Sequence, residues 1–248
     1  MNHNNFILSP ITNIMEDVVS SSLGIGNGIE TYPLYDYVMQ SVFLKMTGAQ
    51  EQKMKCILWE LATHDYEYRY KRFTQNPLGE CSTYKEKQEV YKDLIQQIEK
   101  KQGKVELSDV IQKNDILQKT LEFIDNTFLN SNLLIWAQKS FENYKNIFED
   151  ISIEYFLPDK TNLFTNKNNL SGNNQGLKEI YEEHLYKHRN RVAHNTLSYQ
   201  QNLPTLKTLV NEDYKYNNYF TYFALLILID KIFIDLYKEY LISINEYE

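Results

Sequence analysis

Tyr219-Phe220-Thr221-Tyr222-Phe223-Ala224-Leu225-Leu226-Ile227-Leu228-Ile229, closed by Asp230-Lys231, is the stretch that decides the fold. Set on a helix at about 100° per residue, it is apolar on every side. A helix of that kind must be covered all round, so it belongs at the centre of a helical protein or in an interface. The run is too short to span a bilayer and ends on two charges. The helix that contains it is expected from Asp213 to about Ile244.

The composition around it agrees. Gly 8 and Pro 5 are few for 248 residues, which favours a few long helices over many short strands. Apolar residues make up 42% of the chain, with Tyr 20 and Phe 12, enough for a real core. Stripes at helical spacing recur: Met54, Leu58, Leu61 and Tyr68; Val90, Leu94 and Ile98; Leu117, Leu121, Ile124 and Phe128; Ala137, Phe141, Tyr144 and Phe148. No internal repeat and no strand pattern is visible. The expectation is an all-α fold forming a single helical domain over residues 1–248.

Local signals set the expected boundaries. Ser9-Pro10 reads as an N-cap and first position of a helix running to about Leu23. Gly24, Gly26 and Gly28 then form a flexible connector, since no strand precedes them as a dinucleotide loop requires. Leu34 to about Phe73 is helical, interrupted near Gly48. Thr83 to Lys101 is a charged helix stopped by Gly103. Thr161 to Gly176 reads as a mobile surface loop, and Thr196 to Asn211 as irregular. Tyr66, Tyr68 and Tyr70 interleave with Arg69, Lys71 and Arg72. That pattern is either a stacking and phosphate surface for single-stranded RNA or a helix end whose cations complement the dipole while the tyrosines pack.

Charge narrows the function. A net charge of −7 and a pI near 5.4 exclude a protein coated in nucleic acid over a broad basic face, and leave room for a local basic site. Cys56 and Cys81 have no metal spacing, and no signal peptide is visible, so a reduced, cytoplasmic setting without membrane attachment is expected.

One stretch concentrates the scarce residues. The arginines are Arg69, Arg72, Arg189 and Arg191, and the histidines His3, His64, His184, His188 and His194. Half of the former and most of the latter fall between His184 and His194. A planar, permanently charged fork beside an imidazole suits a phosphate held next to a group that moves a proton. On a helix, Tyr181, Leu185, His188, Arg189 and Val192 share one side; Glu183, Lys187, Asn190, Arg191 and His194 share the other. Arg189 and His194 are i, i+5, about 140° apart on an ideal helix. They meet at one phosphate only if the helix ends or distorts, or if a second copy faces the first, which points to a homodimer. His184 and His188 have the spacing of a helical metal pair, with no third ligand apparent; the competing reading is two histidines hydrogen-bonded beside the core.

Arg189-Asn190-x-x-x-His194 resembles the R-x4-6-H signature of the HEPN superfamily, in which a polar residue directly follows the arginine and the motif precedes a long final helix. The resemblance covers residues 110–248 as a HEPN-type helical bundle and leaves 1–110 as additional N-terminal helices. It implies a metal-independent endoribonuclease that needs no cofactor, acts as a dimer on RNA, and works in toxin–antitoxin or abortive-infection defence beside an antitoxin or other defence protein. Arg189, Asn190 and His194 are the implied catalytic residues, and Lys187, His188 and Arg191 the candidate phosphate-binding residues beside them. The chain departs from some antitoxin-paired members, which carry a tyrosine where Thr196 stands, so control through that tyrosine does not carry over.

The residue types suit the reaction. RNA cleavage needs a base for the 2′-hydroxyl, an acid for the leaving 5′-oxygen and positive charge at the phosphate. His194 supplies base or acid, Arg189 the bidentate grip, and Asn190 orients one or the other. Two alternatives stand beside this: a non-catalytic module that binds nucleotide, RNA or a protein through the same residues, and a purely structural protein in which Arg189 satisfies a core carboxylate.

Overall fold

A computed structural model describes residues 2–22, 24, 26, 28–129, 131–166, 175–194 and 212–245. Ten helices carry the architecture of these residues: α1 His3–Leu8, α2 Thr12–Ser22, α3 Tyr32–His64, α4 Tyr66–Tyr70, α5 Tyr84–Gln102, α6 Leu107–Val110, α7 Lys113–Leu129, α8 Gln138–Glu149, α9 and α10 Tyr219–Asn245. Helix α9 is built of consecutive segments Leu177–Glu179, Ile180–Leu185 and Tyr186–His194, the middle one a π-turn. The described residues contain no strand, only one isolated bridge between Phe156 and Phe164. The protein is all-α.

Helix α10 is the centre. Every residue from Phe220 to Asp230 is buried. Helices α5, α7, α3, α8 and α1 pack around it. One chain thus covers all its sides, and the segment needs no partner surface. Phe220 sits edge-on to Phe128 of α7 and Phe141 of α8, with centroids 4.9 and 5.1 Å away. Residues before and after position 110 contribute to the same buried cluster. Among the described residues no helix is long and apolar enough to cross a membrane.

A buried ion pair sets the register between α10 and its neighbours. Asp230 and Lys53 of α3 are 2% and 3% exposed, and Lys53 Nζ lies 2.6 Å from Asp230 Oδ1. Asp230 Oδ2 accepts the Ile11 N–H at 2.9 Å, and Lys53 also donates to the Ser9 carbonyl. Burial pushes the carboxyl up and the ammonium down, and each partner pulls the other back toward its charged form. Asp230 therefore ties α10, α3 and the α1–α2 turn together rather than ending an apolar run at the surface.

Five features differ from expectation. A short helix precedes Ser9, capped by the Asn2 side chain; Ser9 closes it, and the next helix starts at Thr12. Six residues are too few to show a period. Helix α3 passes through Gly48 unbroken, because packing on α10 outweighs the roughly 1 kcal/mol a helical glycine costs. It stops at His64, where Asp65 leaves helical geometry and caps α4 by accepting the Tyr68 N–H at 3.0 Å. Leu163 and Phe164, inside the expected surface loop, are fully buried, and the Phe164 N–H donates to Tyr84 Oη at 2.9 Å. Asn218 starts α10 by accepting the Phe220 N–H at 3.0 Å, later than the expected Asp213. The helix over Thr83–Lys101 is observed, with a Thr83–Glu86 capping box and Gly103 at φ 85°. Half of Thr161–Gly176 (residues 167–174), all of Thr196–Asn211 and parts of the Gly24–Gly28 connector lie outside the described residues.

Asp230→Ala leaves Lys53 buried without its partner and is expected to cost about 3–5 kcal/mol. The double change Lys53→Met with Asp230→Leu is expected to recover much of that loss. Urea unfolding of the three proteins checks both; an Asp230→Ala protein as stable as wild type would refute the assignment.

Candidate active site

Helix α9 sets its first turns into the core through Leu177, Ile180, Tyr181, His184 and Leu185, all buried. The following turns rise to the surface: Arg189 and Asn190 are half-buried, Arg191 and His194 exposed. The site is built where the helix changes from one environment to the other.

Arg189 is its hub. Nη2 lies 3.0 Å from the Glu51 carboxylate of α3. Nη1 donates to Asn190 Oδ1 at 3.1 Å and approaches His194 Nε2 at 3.4 Å. A guanidinium only donates, so in this contact Nε2 of His194 stands on the accepting side. The i, i+5 pair therefore meets within one chain, on a helix regular from Tyr186 to His194. The arginine stem is long enough to carry the fork around the helix to the ring. The geometric argument for a second copy is thereby removed, as is the one from the apolar run.

Two groups absent from the sequence reading stand under the hub. Glu51 is 12% exposed at its side chain. Lys87 of α5 is fully buried, with Nζ 2.9 Å from the Cys81 carbonyl. Burial pushes its ammonium down to about 8, Glu51 opposes that, and Arg189 adds to it. Tyr181 donates its hydroxyl to the Ser82 carbonyl at 3.0 Å, and its phenol is pushed up by burial and by Glu51. Glu51 pairs directly with Arg189, and Lys87 adds a second cation beneath them that feels both charges. A signal for both existed in the sequence. Glu51 lies three residues before Met54 and Lys87 three before Val90, each continuing an apolar stripe, where a charge demands a buried partner.

The other candidates are turned elsewhere. His188 is enclosed by Phe43, Tyr219 and Tyr222, with ring centroids 5.4, 5.2 and 5.5 Å away. Its Nε2 is 3.0 Å from Tyr219 Oη, and Arg191 Nη2 is 3.3 Å from its Nδ1. Burial, then Arg191, push its pKa down to about 4, so it faces α3 and α10 as a neutral ring. Lys187 pairs with Glu183 on the outer surface. His184 Nε2 lies 2.8 Å from Gln175 Oε1, against the Tyr216 ring. The two histidines with metal-pair spacing thus have separate partners, and among the described residues no three His, Cys, Asp or Glu side chains are grouped to hold a metal. Thr196 lies outside the described residues.

Comparison with family models, with curated proteins and with solved structures finds no match to this chain.

His188 yields a pH prediction. Unfolded, it takes a proton near about 6.5; folded, it resists protonation down to about 4. The unfolded state binds more protons in that window, so stability falls as pH drops from 6.5 through 4, by up to about 3 kcal/mol. His188→Phe, which keeps an aromatic ring in the cage, should show a shallower loss over the same window by urea unfolding. An unchanged slope would show that His188 is not held neutral.

Proposed function

We propose that this chain is a metal-independent endoribonuclease of HEPN type. The observation that carries the reading is one guanidinium reaching Asn190 and His194 together at the surface end of α9. In its neutral form His194 accepts the 2′-hydroxyl proton at Nε2, once the phosphate draws the Arg189 Nη1 donor away from that nitrogen. The 2′-oxygen then attacks phosphorus, the bond to the 5′-oxygen breaks, and that oxygen takes a proton from an acid. A facing second copy of the motif supplies that acid in the dimeric form of the proposal. Arg189 binds the phosphate through the Nη1 side. Glu51 holds the Nη2 side and fixes the fork, while Lys87 offsets the carboxylate so that the positive charge survives. In a toxin or defence role, RNA in the cytoplasm is the target and an antitoxin or other defence protein the restraint.

The Arg189–Glu51 contact favours a second reading, in which the motif binds phosphate, or only braces α9 against α3, without turnover. Activity separates the two. His194→Ala, at an exposed position, should keep the fold and lower RNA cleavage by about 10²–10⁴-fold in EDTA. Arg189→Lys should not restore wild-type rate, since an ammonium cannot span Glu51, Asn190 and phosphate as a fork does. An all-DNA copy of the substrate should stay intact. Equal cutting of DNA, a strict magnesium requirement, or undiminished cleavage by His194→Ala would remove this mechanism.

A further inference from the structure

A second surface lies at the far end of α3. Trp59, Ala62 and Thr63 of α3, Tyr66, Arg69 and Tyr70 of α4, and Phe73 and Thr74 just beyond line an open groove of about 530 Å³. Four of these side chains are large aromatics left in solvent: Trp59 53%, Tyr66 80%, Tyr70 53% and Phe73 47% exposed. Trp59 and Phe73 meet edge to face at 6.3 Å. Tyr66 and Tyr70 are i, i+4 neighbours on one helix face.

The interleaved sequence Tyr66–Arg72 is divided by the fold into two sets. Tyr68 and Arg72 are spent inside: Asp93 accepts the Tyr68 hydroxyl at 2.7 Å and Arg72 through Nε and Nη2 at 2.7 and 2.6 Å. Tyr66, Tyr70 and Arg69 are left outside. Arg69 forms no ion pair among the described residues, and no carboxylate lines the groove. The nearby Glu67 is drawn to Lys100.

We propose that this groove binds single-stranded nucleic acid by stacking unpaired bases on Tyr66, Tyr70 and Trp59, with Arg69 on the phosphate backbone. Flat π-faces joined to one unneutralised guanidinium are the elements of a sequence-tolerant single-strand platform. A protein interface core would also use Trp, Tyr and Arg. Here Ala62 is the only aliphatic lining residue, and the sole charge is a cation on a chain of net charge −7. Both features favour a polyanion carrying aromatic bases. The proposal does not rest on the ribonuclease reading. Trp59 stands eight residues beyond Glu51 on α3, about 12 Å along the axis.

The test is fluorescence anisotropy of a labelled oligo-deoxythymidine at low salt, with the whole chain. DNA lacks the 2′-hydroxyl, so binding is read without any contribution from cleavage. Tyr66→Ala and Trp59→Ala should each weaken binding by about 5- to 150-fold, and Tyr66→Phe should bind as wild type. Arg69→Ala should weaken binding and make the salt dependence shallower by about one phosphate contact. Circular dichroism checks the fold; if Trp59→Ala does not fold, Tyr66→Ala carries the test, because its ring is almost free of the protein. Wild-type affinity in Tyr66→Ala, equal affinity for a duplex of the same length, or no binding by the wild type overturns the proposal, the last result leaving a protein partner as the reading of this surface.

Discussion

Covering an all-round apolar helix is the constraint from which the rest of this structure follows. A helix with a polar face can lie on a surface; Phe220 to Asp230 has none. Helices must therefore stand on every side of it, and α3, α5, α7 and α8 are long enough to do so. Burial alone is non-directional and does not choose how far each helix slides along α10. Polar contacts do. Lys53 meets Asp230, and one turn earlier on α3 the Gln50 amide donates to the Leu226 carbonyl at 3.0 Å. Both fix α3 lengthwise against α10.

That register reaches the candidate site through a single step in sequence. Glu51 directly follows Gln50, so holding α3 on α10 also fixes the carboxylate on which Arg189 rests. The hub is positioned by the core and not by the surface helix that carries it. A displacement of α3 by one turn, about 5.4 Å, would take the carboxylate out of reach of the guanidinium.

The four arginines show how one residue type is put to different uses by its surroundings. Arg72 is saturated by Asp93 and Glu89 and is structural. Arg191 caps a neutral histidine ring. Arg69 stands among exposed aromatics with no counter-ion among the described residues. Arg189 divides its fork, one side on Glu51 and the other toward Asn190 and His194. Arg72 is held by carboxylates and Arg191 by a ring, whereas Arg69 and Arg189 keep donors at the surface, and both candidate surfaces are built around these two.

The sequence by itself determined the helical class, the need to cover Tyr219–Ile229 on every side, and the concentration of arginine and histidine before it; that the covering comes from this chain and not from an interface was decided by the fold. These are properties of period and composition, which a linear reading contains. It also placed Arg189 and Val192 on the inner side of their helix. What it could not supply was any partner from a distant part of the chain. Asp230 reads as the end of an apolar run until Lys53 and Ile11 are folded against it, 177 and 219 residues away in sequence. His188 reads as a cation for phosphate until Phe43, Tyr219 and Tyr222 enclose it and burial removes its proton. Arg189 and His194 appear to need a second chain until the length of one side chain is counted. In each case the residue type was legible, and tertiary contact decided its charge state and its direction, because desolvation and pairing depend on neighbours that only folding brings together.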